Sequence, residues 1–173
     1  IPQDLIARTE ALARRFFALP LAEKLAVAPA GHHRGFLQIG QAKMHARARP
    51  DLKESFVWGL DVPPDDADFL AGNRMIGPNR WPAALPELRP VLNAYFDAAN
   101  ACGRMLLRAF AASLGVEPDR FTRHFDKPVT RGTLVYYPPQ PPEAGETQFG
   151  VSPHTDYGVM TLLRHIAVPV RGQ

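Results

Sequence analysis

A histidine and an aspartate stand two residues apart in the segment GVSPHTDYGVMTLL, where a strand is expected to begin. Successive side chains of an extended segment point to opposite faces, so His154 and Asp156 are expected to project on the same side. An imidazole and a carboxylate that converge in this way form half of a site for a divalent metal such as iron. Gly158 would let the backbone turn tightly after the acid. Taken alone, the triplet also fits an ordinary hydrogen-bonded pair, so the neighbouring sequence is needed to choose between this pair and a metal site.

The composition is that of an ordinary folded chain. Of 173 residues, 46% are hydrophobic and 21% are charged, which excludes a disordered polar chain. The net charge is only +3 and no basic run occurs, so we expect no nucleic-acid partner. Cys102 is the single cysteine, which excludes a disulfide framework and favours a reducing, cytoplasmic location. No apolar run approaches eighteen residues, so we expect no membrane partner.

Helical periodicity dominates the first part of the sequence and strand-like composition the last part. Residues 3–18 form an amphipathic pattern that Pro20 ends, and residues 86–114 repeat apolar side chains every three or four positions. A short strand is predicted near Ser55–Leu60. From Thr130 onwards, TLVYY, TQFGVSPHTD and GVMTLLRH are strand candidates. Helices followed by strands predict an α+β fold with a β core that begins near residue 130.

Two segments, LVYYPPQP and GVSPHTDYGVMTLL, together resemble the core of the iron(II)- and 2-oxoglutarate-dependent dioxygenases, in the isopenicillin N synthase-like branch. RRFFALPLAEKLAV, HRGFLQIG, DLKESFVWGLDVPPDD and GPNRWPAALPELRPVLNAYFDA resemble that branch's N-terminal region, in the same order. The resemblance implies a double-stranded β-helix, or jelly-roll, buttressed by the long helix. Residues 1–70 would form the N-terminal dioxygenase region, 71–127 the connecting loop and long helix, and 128–173 the first part of the jelly-roll core.

The resemblance also implies the ligands and the reaction. His154 and Asp156 would be the catalytic iron ligands, and Tyr137 would help to bind the co-substrate 2-oxoglutarate. With Fe(II) and O2, the protein would hydroxylate, desaturate or cyclise a small organic substrate. Lys53 and Glu54 match the family's KE-F element and are interpreted as members of an ion pair at the edge of a helix or strand.

The sequence departs from the family pattern after Asp156. The family's third ligand is a more distant histidine, followed by an Arg-x-Ser pair that holds 2-oxoglutarate. Here the one later histidine, His165, is nine residues on and is interpreted as an exposed strand-end residue. We therefore expect this chain to be a portion of a longer protein. The alternative is a catalytically inactive, truncated remnant of the fold that acts as a binding or scaffold domain. A zinc hydrolase with a His/Asp site is a third hypothesis, which lacks a nearby general base.

Overall fold

The computed structural model describes residues 1–41, 51–139, 150–156 and 158–166. Its helices are α1 (Gln3–Phe17), α2 (Leu21–Leu25), α3 (Ala67–Leu70) and α4 (Leu88–Ser113), with a 3-10 turn at Thr122–His124. Its strands are β1 (Gly35–Leu37), β2 (Glu54–Gly59) and β3 (Arg131–Tyr136). In this described part of the chain, no helix is both long and apolar enough to cross a membrane.

Helix α1 is amphipathic, as the periodicity of residues 3–18 predicted. Its buried face is formed by Leu5, Leu12 and Phe16 together with Thr9, whose hydroxyl donates to the carbonyl of Leu5 at 2.8 Å. That hydrogen bond satisfies the one polar side chain on the buried face. The helix ends before Pro20, which lacks the backbone N–H needed to continue the hydrogen-bond pattern.

Helix α4 is the long helix predicted for residues 86–114. Pro90 lies in its first turn, where the missing N–H costs nothing because those groups have no partner within the helix. The helix packs against α1 through one apolar stripe. The stripe's buried residues are Leu88, Val91, Leu92, Phe96, Leu107 and Ala111.

The described strands form one antiparallel sheet in the order β1-β2-β3. Phe56 on the central strand pairs with Phe36 on one side and with Leu134 on the other. Phe36 and Phe56 are fully buried and join the hydrophobic core that α1 and α4 cover. Trp58 fastens the sheet to α4, because its indole N–H donates to the carbonyl of Leu92 at 3.2 Å.

The mixed helix and strand architecture is confirmed, and the described sheet includes segments that precede residue 130, where the β core was predicted to begin. Two of the described strands precede that point, and β2 supplies the partner on which β3 forms. The three-residue strand β1 was missed because it is too short to show an alternating pattern. The strands predicted after β3 are not formed in their described parts. Residues 150–156 and 158–166 pair with no other strand among the described residues. Residues 140–149 lie outside the described part of the chain.

Both charged residues of the KE-F element form ion pairs, but with partners outside it: Glu54 pairs with Lys24 and Lys53 with Asp51. Lys24 on α2 donates to both carboxylate oxygens of Glu54 at 2.8 and 3.0 Å and to the carbonyl of Phe17 at 3.2 Å. The two side chains are only 8% and 13% exposed. This pair therefore ties the helical layer to the central strand.

Replacing Lys24 with methionine should leave the nearly buried Glu54 carboxylate without its cation. We expect a loss of about 2–3 kcal/mol in the free energy of unfolding, somewhat below the cost of breaking a fully buried pair. Urea denaturation measures it. The control Arg89→Met removes the pair with Asp61, in which Arg89 is 61% exposed, and should cost less than about 1 kcal/mol. Equal losses in the two variants would contradict the assignment of Lys24–Glu54 as a structural pair.

Candidate metal site

His154 and Asp156 converge, as their spacing predicted. The Nε2 atom of His154 lies 3.2 Å from Oδ1 of Asp156. The side chains are 33% and 55% exposed, so the space around both atoms is open to solvent and to a small ligand. The segment is not a strand in the structure, so the convergence arises from a loop in which residues i and i+2 still share one side.

The other ring nitrogen of His154 is already committed. Nδ1 lies 2.8 Å from the carbonyl oxygen of Ser152. A carbonyl only accepts hydrogen bonds, so Nδ1 carries a proton and donates it. In a neutral imidazole this leaves the Nε2 lone pair facing the carboxylate of Asp156. Two lone pairs at 3.2 Å repel unless a proton or a metal cation lies between them. The donor set therefore fits a divalent cation.

Asp156 presents one oxygen to His154 while Thr161 holds the other. The Thr161 hydroxyl donates to Oδ2 of Asp156 at 2.6 Å. This hydrogen bond is the main cause that lowers the pKa of the Asp156 carboxyl below its ordinary value. Asp156 is therefore ionised at neutral pH, which is the state in which a carboxylate binds metal.

The loop that carries these residues is attached to the sheet region at two points. Gly150 packs against the ring of Tyr137 so closely that a Cβ would lie 2.7 Å from a ring carbon. The backbone N–H of Ser152 donates to Oδ1 of Asp51 at 3.0 Å. After the loop, Gly158 adopts a φ of +94°, a conformation that L side chains rarely adopt, as the expected turn requires. The position of His154 is thus determined by contacts distant in sequence.

Tyr137, predicted to help bind 2-oxoglutarate, follows β3 and stands beside the loop. Its side chain is half-exposed. Partial burial, and then the negative charge of Asp51, raise the pKa of its phenol above the ordinary value. The hydroxyl therefore stays protonated at neutral pH and can donate a hydrogen bond.

In the described part of the chain, a third metal ligand does not join the pair. Among the described residues, no group of three His, Cys, Asp or Glu side chains could hold a metal ion. His165 lies instead in a groove lined by Ile6, Tyr95 and Cys102, in keeping with its interpretation as a residue outside the ligand set. Neighbouring Arg164 pairs with Glu10 of α1 at 2.5 Å.

Sequence reasoning missed two residues of this region. Thr161 follows Asp156 by five residues, and no spacing rule identifies it as the partner of the second carboxylate oxygen. Asp51 is 101 positions from Ser152 along the chain. The available signal was the acid in DLKESF, which lies three residues before a strand whose other residues are mostly apolar.

Known proteins resemble this chain in sequence. Residues 1–84 match a family described as the N-terminal region of the non-haem dioxygenase in morphine synthesis. A 2-oxoglutarate-Fe(II) type oxidoreductase of Emericella nidulans is 32% identical over 169 residues, which cover 94% of this chain and 48% of that protein. Validamycin A dioxygenase of Streptomyces hygroscopicus subsp. limoneus is 32% identical over 170 residues, or 94% of this chain and 46% of that one. The chain thus spans about half the length of the curated relatives it matches.

Solved structures share the fold. A full-length Neurospora crassa protein, crystallised in complex with alpha-KG, has a TM-score of 0.73 at 28% identity, covering 91% of this chain and 49% of that one. A 2OG-Fe(II) oxygenase family protein from Caulobacter crescentus has a TM-score of 0.68 at 29% identity, covering 83% and 46%. A mixed fold with a convergent His/Asp pair, matched in this way, defines a relative of the non-haem iron oxygenases. The resemblance seen in the sequence is confirmed: the chain belongs to the iron(II)/2-oxoglutarate-dependent dioxygenase family.

Proposed function

We propose that the protein containing this chain uses Fe(II), 2-oxoglutarate and O2 to oxidise a small organic substrate. One observation carries the proposal. His154 Nε2 and Asp156 Oδ1 face each other at 3.2 Å, while His154 Nδ1 is held by the carbonyl of Ser152. This is the imidazole and carboxylate part of the two-histidine, one-carboxylate set that suits ferrous iron. The third ligand would come from outside the described residues.

Each residue of the site would have a distinct role. His154 and Asp156 would hold the ferrous ion, which with O2 supplies the redox chemistry that converts 2-oxoglutarate to succinate. Thr161 holds the far oxygen of Asp156, so that the near oxygen stays directed at the metal position. Tyr137, whose phenol is kept protonated, would donate a hydrogen bond to a carboxylate of 2-oxoglutarate. The Ser152 carbonyl holds Nδ1 of His154, so that Nε2 would be the nitrogen directed at the metal.

The finer fold is part of the same proposal. We assign residues 128–173 to the first part of a double-stranded β-helix and residues 1–70 and 71–127 to the regions packed outside it. The support is an apolar surface that the described part of the chain leaves uncovered. On the second half of α4 and just after it, Met105, Phe110 and Leu114 are exposed by 66%, 53% and 65%. A further sheet layer would bury these side chains.

The substrate class follows from the relatives. The relatives include homoarginine-6-hydroxylases of Arabidopsis thaliana and Oryza sativa, and the Neurospora crassa protein was also crystallised with thymine. These are small polar molecules, so a small organic substrate is the expectation for this protein too.

Succinate formation tests the proposal. Purified full-length protein that contains this chain, supplied with Fe(II), ascorbate, 2-oxoglutarate and O2, is expected to release succinate, measured by NMR or chromatography. Removal of the metal with a chelator should abolish the product, and added Fe(II) should restore it. Succinate formation that persists in excess chelator would contradict an iron-dependent reaction. Complete inactivity with every component present would favour the binding or scaffold alternative.

A further inference from the structure

Asp51 is a buried acid next to the candidate metal site. It lies three residues before β2, and its side chain is fully buried. Lys53, 11% exposed, lies with its Nζ 3.0 Å from Oδ2 of Asp51. Burial of a carboxylate is costly and is tolerated when a cation and hydrogen bonds compensate it. An apolar residue would avoid this cost, so the buried carboxylate is expected to have a specific role.

Asp51 holds two separate backbone segments. Its own carbonyl accepts from the N–H of Gly40 at 3.2 Å. Its carboxylate oxygen Oδ1 accepts from the N–H of Ser152 at 3.0 Å. A charged acceptor makes a stronger hydrogen bond than a neutral one. The carboxylate is thus the direct link between the lead-in to β2 and the loop that carries His154.

The same residue, Ser152, links Asp51 to the metal-binding histidine. Its N–H donates to Asp51 and its carbonyl accepts from Nδ1 of His154 at 2.8 Å. A rotation of this backbone would move the carbonyl away from the imidazole. Nδ1 would then lose its acceptor, and the proton could shift to Nε2, the nitrogen that faces Asp156.

We propose that Asp51 is a positioning residue that fixes the orientation and tautomer of His154 through the backbone of Ser152. This rests on the proposed function, since it assigns His154 to iron. Lys53 supports the arrangement by compensating the buried charge. Partners outside the ligand set commonly set metal affinity in this way, and their loss typically lowers it by about 10- to 100-fold.

A double variant separates positioning from stability. Asp51→Leu with Lys53→Met removes both charges together, so that no unpaired ion is left, and it deletes the acceptor for Ser152. The milder Asp51→Asn keeps an oxygen that can accept. The matched control is Asp61→Asn, because Asp61 also pairs with a cation, Arg89, at 3.0 Å.

Two measurements are made on each folded variant. The first is the dissociation constant for Fe(II), by anaerobic titration against a competing chelator. The second is the tautomer of His154 in the metal-free protein at alkaline pH, from the 15N NMR shifts of its ring nitrogens. Measurement of the tautomer does not require iron. It therefore tests the role of Asp51 even if His154 is not an iron ligand. A wild-type protein that binds no iron would refute the iron assignment but not the role of Asp51.

The double variant should weaken Fe(II) binding by about 10- to 100-fold and lose the exclusive Nδ1–H tautomer. Asp51→Asn should show a smaller change in the same direction, and Asp61→Asn none. The proposal would be overturned if the double variant kept the wild-type tautomer and bound Fe(II) with an affinity within about twofold of wild type. Such a change is well short of the range expected for a lost outer partner. Where the double variant fails to fold, Asp51→Asn decides alone, and wild-type values for both quantities overturn it.

Discussion

Replacement of His154 by alanine is expected to abolish Fe(II) binding and the release of succinate while leaving the fold intact. The side chain is one-third exposed, and among the described residues it hydrogen-bonds the backbone only at Ser152, so its removal creates no buried cavity. The metal would keep only Asp156 of the two described ligands. The loss should exceed the roughly 10- to 100-fold that removal of an outer partner typically costs. Anaerobic titration and a succinate assay measure the two effects.

The control for this variant is His165→Ala. His165 is also exposed and lies only nine residues beyond Asp156, but in a groove beside α1 and α4. We expect that variant to keep both iron binding and turnover. Succinate formation by His154→Ala at the wild-type rate would refute His154 as a ligand. Equal losses in the two variants would show that the assays report general damage to the protein.

The largest expected effect on stability comes from Phe16. Its ring is fully buried and lies 4.8 Å from the ring of Phe56, 5.3 Å from that of Phe17 and 6.0 Å from that of Phe36. It is therefore a central contact through which α1 packs onto the sheet. Phe16→Ala should lower the free energy of unfolding by about 3–5 kcal/mol, because lost burial and the remaining cavity both contribute. Urea denaturation followed by circular dichroism measures the change.

Leu70→Ala serves as the comparison for Phe16→Ala. Leu70 ends α3 and is 69% exposed, so its truncation should change stability by no more than about 0.5 kcal/mol. A loss below about 1 kcal/mol for Phe16→Ala would mean that α1 is not packed on the sheet as described.

The helical elements could be predicted because their signal is local. The apolar stripe of α4 repeats every turn, and its predicted range of 86–114 differs from Leu88–Ser113 by only one or two residues at each end. The sheet could not be predicted in the same way. Gly35–Leu37 has no pattern of its own and becomes a strand only because β2 lies beside it. Pairing between distant segments leaves no trace in either segment alone.

In the candidate site, too, local features could be predicted from the sequence and contacts between distant segments could not. His154 and Asp156 could be paired from the sequence because side chains two positions apart share a side. Their convergence survives in a loop, although the predicted strand is not found there. Asp51 could not be found, because its contact with Ser152 joins segments 101 positions apart. The role of Tyr137 in binding 2-oxoglutarate stays a prediction.

The most direct test is anomalous diffraction at the iron absorption edge from crystals grown anaerobically with Fe(II) and 2-oxoglutarate. The account predicts one strong peak bound to Nε2 of His154 and to a carboxylate oxygen of Asp156, each at about 2.0–2.2 Å, as is typical of metal–imidazole and metal–carboxylate bonds. An iron peak held by other residues, or imidazole and carboxylate groups that turn away from each other with no metal between them, would contradict it.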